Sequence, residues 1–341
     1  MRPADGDEGM MAAIARMAEA AGLPSTRLMA DFAALAVGPG RIDFSDFERL
    51  RLYDDAFWGG HDRRRLVGQR RAHELALAVN FRHDCFALAT DRLAACAYLG
   101  AHGLPTEPVL AIYRPGLATP GPNLIRTRGD LRAFLETGAG EPMVAQPVEG
   151  GGRRCLFGAG ADPATDIDRL LDEVRDTGEV SWLLRPLLAP HPDAAPDGQR
   201  LAPVRLLTVQ GGSGPLVLRA CWRLGGRDDI VACLDLETGA VIGIVPAAAP
   251  HRARAAPPGF SIPDWPRMKA TAVEAARLMG QFGLLGWDIA ATSEGPVILD
   301  IDPTPDLELH QLVDRQGLMD SWFQDFVGSR RRLAAEHRRL V

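Results

Sequence analysis

The sequence predicts a mixed α+β protein, and three observations indicate this class. Strand-like apolar runs occur in adjacent pairs around short turns, as in "VRLLTVQGGSGPLVLRACW" and "WDIAATSEGPVILDID", which is typical of antiparallel hairpins. Helical patterns do not alternate regularly with these strands, so a regular βαβ winding is not indicated. The first 80 residues carry helical patterns alone. We therefore expect antiparallel sheets preceded by a helical segment.

Composition excludes several classes of protein. The chain has 341 residues, is 46% hydrophobic and 24% charged, and has a net charge of −6, which is ordinary for a globular domain and argues against a nucleic-acid binder. No apolar run reaches the ~18 residues of a membrane helix, and the acidic start lacks the order of a signal peptide. The five cysteines show no C-x-x-C pairing, which favours reduced thiols in the cytoplasm.

The elements divide the chain into five parts. Helices are predicted over residues 10–37, with a break at Gly22-Leu23-Pro24, then after an N-cap at Ser45, and then over the Arg-rich stretch 63–80, since apolar residues recur there at helical spacing. The predicted parts are a helical N-terminal segment (1–80), an α/β part (81–139), a small subdomain with a Gly-rich hairpin (140–190), a large subdomain (191–325) and a C-terminal helix (326–341).

Three carboxylates interrupt the apolar strands of the last hairpin, "GWDIAATSEGPVILDIDPTPD". With a turn at 293–295, Thr292 faces Pro296, and counting back places Asp288 opposite Asp300. Because side chains alternate along a strand, Asp302 shares the face of Asp300. Opposed like charges destabilise a sheet unless a cation neutralises them, and an all-oxygen acidic set suits Mg²⁺. The alternative is a solvated edge whose acids discourage edge pairing.

A second motif is the tip of the hairpin in the small subdomain, "EGGGRR". Gly150, Gly151 and Gly152 would let backbone N–H groups approach phosphate oxygens, and Arg153 would add positive charge. The alternative is a flexible turn. No Gly-Lys-Ser/Thr follows, so this is not a Walker loop.

Together these segments resemble the ATP-grasp superfamily, most closely the sugar-transfer-associated ATP-grasp group. The resemblance covers residues 81–320 and is carried by "TDRLAACAYLGAHGLPTEP", "MVAQPVEGGG", "APHPDAAPDGQRLAPVRLLTV", "LDLETGAVIG", "GFSIPDW" and above all "LLGWDIAATSEGPVILDIDPTPDLELHQ". It implies an ATP-grasp fold, in which two α+β subdomains hold the nucleotide between antiparallel sheets.

The resemblance also implies site residues. Asp288, Asp300 and Asp302 fall where the family holds two Mg²⁺ ions against the ATP phosphates. A second group of positions matches the family's nucleotide contacts. Arg92 and Gln146 stand where the family usually has lysines, and the three glycines of the hairpin tip, with Arg153, would cover the phosphates. The backbone of residues 182–185, which includes Leu183, Leu184 and Arg185, would contact adenine. Arg205 matches an arginine that steadies the transferred phosphate; its alternative is a surface residue between apolar neighbours.

The expected activity is a Mg-ATP-dependent carboxylate–amine ligase that works through an acyl-phosphate. Its substrates would be small molecules from peptide-like natural-product or cell-surface polysaccharide metabolism. Neither nucleic acid nor membrane is expected as a partner, and a homodimer is left open. Two rivals stay open: a nucleotide-binding protein that has lost catalysis, as Gln146 suggests, and a phosphotransferase. Candidate substrate contacts are His191, Arg223 and His251, of which Arg223 is assigned to catalysis; the alternative for each is an ordinary loop or strand residue. Any step that needs a lysine must use Lys269, the single lysine.

Overall fold

The computed structural model describes residues 9–115, 123–137, 141–149, 155–157, 163–177, 181–195, 201–225, 230–246 and 259–340. Two sheets with helices around them make up this part of the chain, so the predicted α+β class is confirmed. In these ranges no helix has both the length and the apolar character that crossing a bilayer requires.

The N-terminal segment is helical as predicted, and local capping sets its boundaries. Asp43, not Ser45, caps the third helix: its carboxylate accepts a hydrogen bond from the Asp46 N–H, and Asp46 reciprocates in a capping box. The prediction of Ser45 is wrong by two residues because both positions offer a side-chain oxygen and only backbone geometry selects one. The helices up to the first strand are α1 (Met10–Ala21), α2 (Ser25–Ala36), α3 (Phe44–Arg49), α4 (Asp55–Trp58), α5 (Gln69–Val79), α6 (Phe86–Thr90) and α7 (Arg92–Ala101).

The smaller sheet has five strands in the order β2-β1-β5-β3-β4. One of its faces is covered by two helices through a core that contains Trp182, Phe157 and Leu131. β1 and β2 are parallel, and the other neighbours are antiparallel. Its elements are β1 (Ala111–Tyr113), β2 (Leu124–Ile125), α8 (Arg128–Thr137), β3 (Met143–Pro147), β4 (Cys155–Phe157), α9 (Pro163–Thr177) and β5 (Trp182–Pro186).

The larger sheet has six antiparallel strands in the order β11-β10-β6-β7-β8-β9. Trp222, Trp287 and Ala272 belong to the core on one face, which helix α10 covers. The opposite face packs on helices from both ends of the chain. Its elements are β6 (Pro203–Gly211), β7 (Gly214–Gly225), β8 (Ile230–Leu234), β9 (Val241–Pro246), α10 (Trp265–Leu278), β10 (Leu284–Thr292) and β11 (Gly295–Asp302).

Two helices follow the last hairpin, where the sequence predicted one. Helix α11 (Leu307–Asp314) was missed, and α12 (Ser321–Leu340) begins five residues before the predicted 326. Most residues of α11 are buried, including the polar Glu308, His310 and Gln311. Its polar residues therefore do not form the solvent-facing stripe by which an amphipathic helix is recognised. Asp306 caps it through hydrogen bonds from the Glu308 and Leu309 N–H groups.

The core of the N-terminal segment is continuous with the rest of the molecule. Val67, Leu75 and Val79 share one apolar cluster with Leu284 of β10 and Phe323 of α12. The predicted boundaries at residues 80 and 326 therefore cross a common core. The segment holds β10 in place rather than standing apart from it.

Candidate active site

The register of the β10–β11 hairpin brings two aspartates face to face. Asp288 lies opposite Asp300, as predicted, although the turn and the pairing of the residues between them differ from the prediction. The turn is one residue tighter than expected, since Thr292 pairs with Gly295, and a β-bulge after Asp288 then restores the register. A bulge inserts one extra residue into a strand and re-aims the side chains beyond it. Leu299 is that residue, because Ile289 pairs with Ile298 while Asp288 pairs with Asp300.

Asp288 is held by Arg205 of the neighbouring strand. Arg205 donates from Nε and Nη2 to the two carboxylate oxygens, each over 2.8 Å. Both side chains are only 14% exposed, so the pair is a partly buried, bidentate ion pair of the strong kind. Burial would lower the pKa of Arg205, but the hydrogen bonds and charge of Asp288 outweigh it and raise that pKa. Arg205 is therefore a permanent cation on this face of the sheet.

Asp300 is paired with an arginine from outside its own sheet. Arg92, at the start of α7, donates to Asp300 Oδ2 over 2.6 Å and to the carbonyl oxygen of Pro147 over 3.0 Å. Pro147 ends β3 of the smaller sheet. Arg92 therefore joins the two sheets through a buried guanidinium. Its contact with phosphate stays a prediction.

Asp302 is anchored by local hydrogen bonds. Its Oδ1 accepts from the Thr304 N–H over 2.9 Å and from the Thr304 hydroxyl over 3.3 Å. Burial, reinforced by the charge of Asp300, raises its pKa, although the Thr304 hydrogen bonds oppose this. Gly286 lies opposite Asp302, and a Cβ there would stand 2.9 Å from Pro305 Cβ. The glycine thus lets the 303–306 loop pack against the strand.

The three carboxylates have the all-oxygen chemistry that Mg²⁺ prefers, and the donor type therefore fits the ion. Their present arrangement is an ion-pair network: both Asp288 oxygens accept from Arg205, and Asp300 accepts from Arg92 and from the Ile301 N–H. Within the described ranges, no group of three or more His, Cys, Asp or Glu side chains is arranged to hold a metal ion. Magnesium ligation by these aspartates thus stays a prediction.

The pair register extends this site across the sheet. Arg205 lies opposite Cys221 on β7, and Cys221 lies opposite Cys233 on β8. With Asp300 and Asp288, they form one transverse row, which we call the charged row. Burial raises the pKa of Cys221 well above its usual range and that of Cys233 to about 11. Both thiols therefore stay protonated, and all five cysteines are free, as predicted.

Arg223 lies two residues beyond Cys221, on the same face of β7, opposite Val231. It therefore borders the charged row. His191 caps a short 3₁₀ turn: its Nδ1 accepts a hydrogen bond from the Asp193 N–H. Gly150, Gly151, Gly152, Arg153 and His251 lie outside the described residues.

The predicted nucleotide residues of the smaller sheet divide between its faces. Leu184 belongs to the core beneath the sheet, and Leu183, next to it in the strand, has its side chain on the other face. Gln146 pairs with Leu183 and is buried on that same outer face. β5 is an interior strand, paired with β1 and β3 along its two edges. The backbone N–H and C=O groups of Leu183 and Leu184 therefore face the neighbouring strands. Their contact with adenine stays a prediction.

Arg185 is buried and ion-paired with Glu107. A buried pair of this kind is costly to break, because either partner alone would be an uncompensated charge. The Arg185 side chain therefore serves to tie β5 to the segment before β1. Nucleotide binding would have to use its backbone.

His310 is the residue near the charged row that sequence reasoning missed. It lies on α11 and is 2% exposed, and neither ring nitrogen has a hydrogen-bond partner among the described residues. Burial, together with the charges of Arg205 and Arg219, lowers its pKa to about 3. A neutral histidine therefore borders the row. The sequence "LELHQ" mixes polar and apolar residues and carries no signal that singles out His310.

Comparison with known proteins finds a family model that matches one part of the chain. The family model described as sugar-transfer associated ATP-grasp matches residues 252–324. This range contains β10, β11 and all three aspartates of the carboxylate hairpin. No curated protein matches the chain.

Solved structures with a similar fold include the ATP-grasp ligase PsnB complexed with minimal precursor, at 17% identity and a TM-score of 0.42, over 73% of this chain and 62% of that one. The D-alanine-D-alanine ligase from Coxiella burnetii is similar at 12% identity and a TM-score of 0.45, over 74% of this chain and 60% of that one. The chain thus spans about three fifths of the length of both. These likenesses are remote, and nothing about this chain's activity follows from them.

The predicted resemblance is confirmed where the specific motif lies. The aspartate hairpin, the most specific part of that resemblance, falls wholly within the matched range. The two-sheet α+β architecture agrees with the expected fold. Residues 252–324 match the family model described as sugar-transfer associated ATP-grasp, as the aspartate hairpin predicted.

Proposed function

We propose that this protein is an ATP-dependent ligase that uses Mg²⁺ to join a carboxylate to an amine. The observation that carries the proposal is the charged row: Asp300, Asp288 and Arg205 stand side by side, and Arg92 reaches Asp300 from beside the smaller sheet. Opposite charges held in fixed, partly buried positions suit the transfer of a phosphoryl group. We place the reaction in the cytoplasm, in peptide-like natural-product or cell-surface polysaccharide metabolism.

The proposed reaction has two steps. A carboxylate oxygen of the first substrate attacks the γ-phosphorus of ATP, the bond to the bridging oxygen breaks, and ADP leaves. The amine nitrogen of the second substrate then attacks the acyl carbon, the C–O bond to phosphate breaks, and inorganic phosphate leaves while the nitrogen loses a proton. The protein contributes chiefly orientation and charge.

The side chains have distinct roles in this scheme. Arg205, fixed by Asp288, would stabilise the charge on the transferred phosphoryl group, and Arg92 would contact the nucleotide phosphates. Asp300 and Asp302, with Asp288 beside them, would hold Mg²⁺, which when bound neutralises phosphate charge. Arg223, which borders the charged row on β7, would lie beside the acyl group of the first substrate.

Isothermal titration with ATP, with and without Mg²⁺, tests this proposal directly. We expect Mg²⁺ to tighten ATP binding to the wild type at least tenfold, and Asp300→Asn to remove most of that gain. Asp168→Asn, at an exposed acid on α9 paired only with exposed Arg128, is the matched control. Absence of ATP binding to the wild type would refute the proposal.

A second candidate function is nucleotide binding without catalysis, and one observation favours it. Lys269 donates to the Leu236 carbonyl oxygen over 2.7 Å and lies over the Trp265 ring, so it is engaged away from the charged row. Gln146 is neutral, so it adds no positive charge to the outer face of the smaller sheet. ADP release in the presence of a panel of carboxylates and amines separates the two: a ligase releases ADP only with its substrates, whereas a binding protein releases none.

A further inference from the structure

A polar cavity of about 450 Å³ lies beside Asp302, between the start of α5 and the loop that joins β11 to α11. Gln69, Arg70 and His73 line it from the helix, and Asp302, Thr304 and Asp306 line it from the loop. Pockets that enclose small ligands generally measure ~300–1,000 Å³. Because Asp302 belongs to both this cavity and the carboxylate hairpin, a molecule in the cavity would abut the proposed phosphoryl-transfer site.

The α5 side of the cavity offers hydrogen-bond donors that are not committed elsewhere. The Arg70 side chain is 84% exposed, and its ion pair is a long contact of 3.5 Å to Glu74. Exposed pairs of this kind contribute little to stability, so the guanidinium can turn to a ligand at little cost. Gln69 and His73 are exposed beside it. This side suits an anionic group such as a carboxylate.

The facing side offers acceptors. Asp306 uses Oδ1 to cap α11, and Asp302 uses Oδ1 to accept from Thr304. No described residue donates to Oδ2 of either. Glu308, also in the wall, is neutralised by Arg49. The free oxygens of this wall suit an ammonium group. The two sides therefore present opposite charges across a space of small-molecule size.

We propose that this cavity binds the amine substrate of the ligase, and that this substrate is a free α-amino acid. Its carboxylate would lie at Arg70 and His73, and its ammonium group would lie toward Asp306 and Asp302. After the ammonium group has lost a proton to solvent, the amine nitrogen would attack the acyl carbon. The inference rests on the proposed function, and it assigns a substrate-binding role to the N-terminal helical segment, through α5.

Saturation-transfer NMR with the full chain tests the assignment. The probes are the twenty standard amino acids and their carboxamides, with and without ATP and Mg²⁺ in the sample. We expect at least one amino acid to bind, and its carboxamide, which lacks the negative charge, to bind at least tenfold more weakly. Arg70→Ala combined with His73→Ala should weaken binding of the amino acid at least tenfold. Arg332→Ala, at an exposed arginine on α12, should leave it unchanged.

The outcomes separate this inference from the proposed function. If ATP binds and no amino acid does, or if the Arg70/His73 variant binds as the wild type does, the amino-acid site is wrong and the ligase proposal stands. If an amino acid binds in this manner and ATP does not, the site stands as a binding site and the ligase proposal falls. Both variant positions are exposed, so thermal unfolding should confirm that the substitutions leave the fold intact.

Discussion

Replacement of His310 should remove a defined part of the protein's sensitivity to acid. His310 is buried, and in the described part of the chain neither of its nitrogens has a hydrogen-bond partner. Its pKa is lowered to about 3, first by burial and then by nearby arginines. An unfolded histidine titrates near 6.5. Between these values the unfolded chain binds a proton that the folded chain does not. The contribution of His310 to the free energy of unfolding is therefore fully present above pH 6.5 and is lost as the pH falls toward 3.

The magnitude follows from the two pKa values. At pH 5, an unfolded His310 is protonated and a folded one is neutral, so the difference of about 1.5 pH units from 6.5 corresponds to about 2 kcal/mol. The His310→Leu variant has no proton to bind and a similar volume. We expect the wild type to lose about 2 kcal/mol more free energy of unfolding than the variant between pH 7 and pH 5.

Urea unfolding followed by tryptophan fluorescence at both pH values measures this difference. Asp314, whose pKa burial raises to about 6, has the opposite effect, since it stabilises the fold as the pH falls. That contribution is common to wild type and variant and is removed by comparing them. His61→Leu, at an exposed histidine, is the control and should not alter the pH dependence. Equal losses in wild type and His310→Leu would refute the reasoning.

Three further predictions concern stability and ligand binding. Asn80→Ala should lower the free energy of unfolding by about 3 kcal/mol or more, because the buried amide serves four backbone groups at the start of β10 and after β11; a loss below about 1 kcal/mol in urea unfolding would contradict this. Arg205→Met should lower the free energy of unfolding by about 3–5 kcal/mol, because it leaves the Asp288 charge unpaired, and the double variant with Asp288→Leu should recover most of this loss in the same assay. Gly286→Ala should weaken Mg-ATP binding by titration calorimetry, because its Cβ would push Pro305 away; binding equal to the wild type would rule out that coupling.

Local rules in the sequence were enough to find the hairpins and the aspartates. Strand alternation and a short turn predicted that Asp288 faces Asp300, and the structure agrees. The agreement depended on two compensating differences, a tighter turn and the bulge at Leu299. The turn length and the bulge are both backbone conformations, and each has alternatives of similar energy. Side-chain periodicity does not distinguish between such alternatives.

The sequence by itself determined the α+β class, the strand pairs and the single face shared by the carboxylates, because these depend on neighbours within about twenty residues. Only the tertiary structure decided what those carboxylates contact. Arg92 meets Asp300 across 208 positions of the chain, α11 covers the charged row with a buried neutral histidine, and α5 closes a cavity beside Asp302. Such contacts arise when distant elements pack on common cores, and no local pattern encodes which distant side chain will arrive.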